Sequence, residues 1–285
     1  MIFALISALS WSLFDLARKQ LTAYCQPLPL SIWLAAGVIP LYALLWLAGG
    51  ADRPQPAYWF PALVSLVTAA IASVSFIKAL SVGRIAMLIP LLSFTPVVAA
   101  LLSWLLLGET LTLVQGIAVA VIVGAIFVLH GGWKLLADPS HAGAGAGLML
   151  LVALCWGTGI VFDKWALASA TVYFHGMIQS LGMVSLLYPA WLLTDGRHGQ
   201  ASWLPRFTGR PLYMLLALAV FALAVSSQWQ ALVSVHPGVV ETVKRGVGIL
   251  GAALWGVWFF GEQIKRWQLA LMLVIIAATA GLTLS

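Results

Sequence analysis

Glu241, Lys244 and Arg245 fall within ETVKRGVGIL, residues 241–250, and the run that follows, GAALWGVWFFGE, is almost wholly apolar. At three- and four-residue spacing the three side chains share one face of a helix. An unpaired base at mid-bilayer costs about 2.5–3.5 kcal/mol on the insertion scale. The acid offsets one base and leaves one positive charge over. Surplus cation held away from water invites an anion through charge-assisted hydrogen bonds.

Lys164 extends the same chemistry. It lies near the end of a helix expected over 146–168, and Lys244 lies about six residues into one expected over 238–260. Both helix ends fall on one side of the membrane. At about 1.5 Å per residue the two depths agree within a few ångströms. Lys164, Lys244, Arg245 and Glu241 together would carry two surplus positive charges. Asp163 adjoins Lys164 but points about 100° away on a helix, so it need not be its partner.

Other polar residues inside apolar runs are expected on a cavity wall, Gln228 (in SSQWQ, with Ser226, Ser227 and Gln230) and Gln179 first among them. Ser180, Ser73, Ser75 and Lys78 belong to the same class. Hydrogen bonds between helices account for such residues as well as a ligand does. The plainer reading of the charged triplet is a helical salt-bridge network that sets depth. FDLARK, with Asp15, Arg18 and Lys19, has that design and abuts a connection, where bases snorkel. His175 and His236 stand alone in the sequence, so neither a metal site nor any cofactor is expected. Trp156 and Trp229 are expected to pack.

The elements that position these residues follow from composition. The chain has 285 residues, 62% hydrophobic and 8% charged, against roughly 25% charged in a soluble domain. Lipid must therefore solvate most of the exterior, and the only partners expected are the bilayer and a small solute. The net charge of +6 comes without basic tracts interleaved with aromatics, which excludes nucleic-acid binding. Cys25 and Cys155 make no disulfide framework.

A crossing helix needs about 20 apolar residues. Ten stretches qualify: 2–20, 29–49, 57–79, 84–107, 111–130, 146–168, 171–194, 210–232, 238–260 and 266–284. MIFALISALSW lacks a basic leader and reads as the first span. The connections after odd-numbered spans hold ten of the 14 Lys and Arg residues, which places them in the cytoplasm and both termini outside.

The sequence also repeats itself. LLSWLLLGETLTLVQ parallels ALWGVWFFGEQIKRWQ; Trp11 to Lys19 matches Trp156 to Lys164; Tyr42 and Tyr188 sit alike. Units of five helices, 1–135 and 136–285, enter the membrane from opposite sides because five is odd. The fold class is all-α integral membrane, with ten transmembrane helices as two inverted repeats around a central cavity, the sequence mark of a secondary transporter. Glu109 and Glu262 close spans 4 and 9 and are expected to accept hydrogen bonds from the next helix's free N–H groups.

SWSLFDLARK, CWGTGIVFDK and IPLLSFTPVVAALLSWLLLGE resemble the first and fourth helices of EamA-type units of the drug/metabolite transporter superfamily. That resemblance implies ten helices, a central cavity and coupled or exchange transport. ETVKRGVGILGAALWG is further similar to the ninth helix of sugar-phosphate/phosphate translocators, which implies Lys244, Arg245 and Lys164 as phosphate-holding bases. Glu241 departs from the amide found there.

The resulting expectation is a secondary transporter of a small anionic organic metabolite (a phosphate ester, phosphonate or carboxylate) in a plasma or bacterial inner membrane. Its alternatives are a proton-coupled exporter of amino acids or organic cations and a lipid-headgroup flippase. No HExxH, GxSxG or carboxylate–histidine grouping supports an enzyme. The oligomeric state stays open.

Overall fold

A computed structural model describes residues 1–21, 27–82, 89–129, 145–194, 211–260 and 266–284. The described residues form helices and no strand. In chain order the helices are α1 (Ile2–Leu21), α2 (Pro27–Ala48), α3 (Trp59–Val82, led by a 3-10 turn at Pro56–Tyr58) and α4 (Thr95–Leu102). Then come α5 (Leu113–Leu129), α6 (Ala146–Leu167), α7 (Val172–Thr194), α8 (Pro211–Leu232), α9 (Pro237–Phe260) and α10 (Arg266–Leu284). Each expected stretch thus contains one helix. Cys25, Arg84 and Glu262 lie outside the described residues, as do the side chains of Asp15, Arg18 and Lys19.

The fourth span, expected over 84–107, is a composite helix. A 3-10 segment at Ile89–Phe94 runs into α4, which loosens into a π turn at Ser103–Leu107. Pro90 and Pro96 each remove a backbone donor along it. The π turn closes when the Gly108 N–H donates to the Ser103 carbonyl, with Gly108 at φ +67°, a left-handed conformation that favours glycine.

By length and composition α2, α3, α6, α7 and α8 each suffice to cross a bilayer. α1, α4, α5 and α10 carry shorter apolar windows. The outward faces are apolar throughout: Ile2, Leu44, Phe60, Leu113, Leu212 and Leu215 are all more than half exposed. Water would penalise such a surface, whereas hydrocarbon does not. Inward faces use small residues, among them Ala4, Ala8, Ala222 and Ala224, which let helix axes approach closely.

Packing across the chain is ordered. α1 lies on α8 and α9; α6 lies on α3 and α4; α2 pairs with α7, α4 with α9, and α5 with α10. α9 also touches α5, α6, α8 and α10. Among the described residues it therefore meets six other helices, which explains how its charged face avoids lipid.

Candidate functional site

α9 starts against α4. Pro237 supplies a φ already suited to a first helical turn, and Gly238 sits so close to Ala100 that a Cβ there would lie 2.9 Å from the Ala100 Cβ and 3.2 Å from its backbone nitrogen. His236 caps this start: its Nδ1 accepts from the Gly238 N–H at 3.0 Å. Nε2 therefore carries the ring hydrogen and points it at the Glu109 carbonyl, 3.4 Å away. Burial pushes the His236 pKa down, opposed by the hydrogen bond to Glu109, so the capping tautomer is neutral.

One turn further in, the three charged residues meet as the spacing requires. Glu241 is 1% exposed. Its Oε1 pairs with Lys244, and its Oε2 lies 3.4 Å from Nη2 of Arg245. Counted over these three side chains, one acid faces two bases. Gln228 of α8 completes the group: its Oε1 accepts from Lys244 Nζ at 2.9 Å and from Trp11 Nε1 at 3.0 Å.

Two indole rings cover the bases. Lys244 Nζ lies 5.6 Å from the Trp11 ring centroid, and Arg245 Cζ lies 5.4 Å from that of Trp156. Such contacts favour a cation by about 0.5–2 kcal/mol depending on desolvation. Trp11 and Trp156 are the residues that match between the two halves of the sequence. Arg245 is nonetheless incompletely served. Its Nε is buried without an acceptor, and Oε2 of Glu241 is buried without a hydrogen-bond donor.

The remaining expected site residues go elsewhere. Lys164 does not converge on Lys244 and Arg245 through any bond it makes here; its Nζ binds Glu109 at 2.7 Å and the Val235 carbonyl at 3.0 Å. It ties the end of α6 to the α4–α5 and α8–α9 connections. With Glu109 included, the group of Lys164, Lys244, Arg245 and Glu241 carries one surplus positive charge instead of two. Glu109 is correspondingly an ion-pair partner rather than the expected cap of the next helix. That cap is Thr112, whose Oγ1 accepts from the Gln115 N–H while the Gln115 Oε1 accepts from the Thr112 N–H, both at 3.2 Å. Gln179 donates to the Ala62 carbonyl at 2.9 Å and clips α7 to α3.

Asp163 and His175, set aside in the sequence, form a second polar centre. Asp163 Oδ1 accepts from Ser65 and lies 3.1 Å from His175 Nε2. Its Oδ2 accepts from Trp229 Nε1 at 3.0 Å. His175 is fully buried, and its Nδ1 lies 3.1 Å from the Tyr58 hydroxyl. The available signal was an acid one turn from the end of α6 and a histidine in the first turn of α7. Trp229 is thereby a hydrogen-bond donor as well as a packing residue. The metal-ligand types of the described residues gather nowhere in threes.

Comparison with known proteins adds a family and a fold. The model of the EamA-like transporter family matches residues 1–130 and 143–284. Protein LicB of Haemophilus influenzae is 27% identical over 206 residues, a match covering 66% of this chain and 66% of LicB. The matched part is thus slightly under two thirds of that relative's length. A solved crystal structure superposes with a TM-score of 0.80 at 17% identity, covering 99% of this chain and 97% of its own, which establishes the shared fold.

Proposed function

The chain belongs to the EamA-like transporter family, and from that premise we propose that it is a secondary transporter carrying a small anionic organic solute by alternating access. Family membership and the lipid-suited exterior make it a multi-pass membrane protein of the drug/metabolite transporter superfamily. The proposal adds ten crossings, two inverted units at 1–135 and 136–285, a bacterial inner membrane and both termini outside.

Inverted units are supported by the helix pairing. Adding or subtracting five turns the α1–α8 contact into α6–α3, and α1–α9 into α6–α4; the α2–α7, α4–α9 and α5–α10 pairs return to themselves. Orientation is supported by the lysines and arginines that collect after odd-numbered helices.

The observation that carries the cargo class is the state of Arg245. One acid is shared between two bases, and the Arg245 Nε is buried with no acceptor. A buried donor left unmet costs about 1–3 kcal/mol. A phosphate-ester, phosphonate or carboxylate oxygen would meet that donor. Gln228 would hold Lys244 in place through a neutral acceptor, and Glu241 would keep both bases charged between turnovers. Lys164 and Gln179 serve in this reading as braces.

Uptake into proteoliposomes, with a panel of organic anions and cations, tests the proposal. Anion uptake that collapses in Arg245→Ala supports it. Cation uptake that depends on Glu241 and ignores Arg245 would establish the exporter alternative instead.

A further inference from the structure

We propose that Asp163 and His175, linked to Tyr58, form a proton-binding site that couples solute movement to a pH gradient. This rests on the transporter reading above but not on the charge of the cargo. Asp163 is 8% exposed within an apolar helix of membrane-crossing length. Ionisable residues buried within membrane-crossing helices are rare and mark ion pathways. Ser65, His175 and Trp229 all address its two oxygens.

The geometry accommodates one proton at His175 with both ring nitrogens still paired, and releases only the Tyr58 O–H from its acceptor. With neutral His175, Nε2–H donates to Asp163 and the Tyr58 hydroxyl donates to Nδ1. When a proton arrives at Nδ1, the Tyr58 hydroxyl turns from donor to acceptor, and Nε2–H stays on Asp163. Departure of the proton reverses both changes. The group alternates between a net charge of minus one and a neutral ion pair, a large difference in a medium of low dielectric. Among the described residues, the titratable group in contact with Asp163 is His175, and Tyr58 lies behind it on the far ring nitrogen. Tyr42 of α2 flanks Trp229, with ring centroids 5.8 Å apart. The Lys164–Glu109 pair lies one residue along α6 and is turned about 100° away.

A cleft opens between the ends of α2, α7 and α8, lined by Asp52, Thr171, Tyr173 and Gln230 among others. Thr171 begins the helical turn that carries His175, whose N–H donates to the Thr171 carbonyl. Coupling runs through adjacent residues of α8: Trp229 holds Asp163, and Gln228 holds Lys244 of the solute site. A proton at the first centre changes the pull on Trp229, and one peptide unit transmits that change to Gln228.

The test uses the full-length protein in proteoliposomes and has two arms. Infrared difference spectra between about pH 5 and 8 report imidazole protonation. A titrating imidazole band present in wild type, absent in His175→Gln and displaced in Asp163→Asn is expected. Identical titration in wild type and His175→Gln would overturn the proposal. His175→Gln keeps an N–H for Asp163, so it serves if Asp163→Asn fails to fold. In the second arm, glycerol 3-phosphate is the transport probe. Its uptake in wild type should accelerate several-fold under an imposed pH gradient. In His175→Gln the acceleration should vanish while exchange at equal pH persists. Loss of both modes together in a folded variant would contradict coupling. Should glycerol 3-phosphate not move at all, the infrared arm still decides the proton site. Should the probe move while His175 shows no titration, this inference falls and the anion reading stands.

Discussion

The indole N–H of Trp11 and the ammonium of Lys244 share one acceptor, Oε1 of Gln228, at 3.0 and 2.9 Å. Three helices, α1, α8 and α9, meet at that atom. Gln228→Leu is similar in size but removes the acceptor and strands two donors. The expected loss is about 1–3 kcal/mol, read as a lower melting temperature in detergent. Gln228→Glu should keep the contact and instead weaken anion binding, because it adds a carboxylate beside Lys244.

Glu241→Gln leaves Lys244 and Arg245 on one turn of α9 with their shared acid gone. Breaking a buried pair from one side costs about 3–5 kcal/mol. Glu241→Gln combined with Lys244→Met should be less destabilising than the sum of the two single changes. Denaturation midpoints for the four proteins of this cycle measure the coupling, and strict additivity would contradict the pairing.

The neutral His236 cap sets a pH dependence. Its pKa in the folded protein is depressed below about 6.5, mainly by burial. The unfolded chain therefore binds a proton more readily than the folded one. The contribution of this residue is complete above about 6.5 and is lost as pH falls through the window down to the depressed value. Protonation at Nδ1 would also remove the acceptor for the Gly238 N–H. Melting temperature should fall with pH across that window in wild type, and less steeply in His236→Asn, which cannot titrate.

Gly157 fixes how α6 meets α4. A Cβ there would lie 2.7 Å from the Val98 Cβ and 2.9 Å from the Thr95 carbonyl oxygen. The second of these is backbone and cannot rotate aside. Gly157→Ala should cost about 1–3 kcal/mol. Adding Val98→Ala should restore only part of it, since the clash with the carbonyl persists. Thermal melts of the single and double variants decide this.

The helices were legible in the sequence because lipid demands unbroken apolar runs with internally satisfied backbones, and punctuation between runs is sharp. Boundaries at Ala48, Leu129, Leu167 and Leu232 fall within a residue of those expected. The charged face of α9 was equally legible, since i, i+3 and i+4 spacing is local. Contacts between helices were not. Depth placed Lys164 level with Lys244, but depth is one coordinate of three. The direction a side chain takes around its helix axis is set by which neighbours pack there. α6 packs on α3 and α4, and that turns Lys164 toward Glu109 and Asp163 toward Ser65 and His175. The Thr112–Gln115 cap is written in the sequence as T-x-x-Q, whereas the expectation rested on Glu109 as a carboxylate at the turn.

The proposed recognition of an anionic solute falls to Arg245, which shares one acid with Lys244. Its most direct test is equilibrium binding of glycerol 3-phosphate, and of a phosphonate and a carboxylate beside it, to the purified protein and to Arg245→Ala. Losing a charge-assisted hydrogen bond worth about 1.5–3 kcal/mol predicts an affinity at least about tenfold weaker in the variant for the anion that binds wild type. Equal affinity in the two proteins, with both folded, would contradict the account.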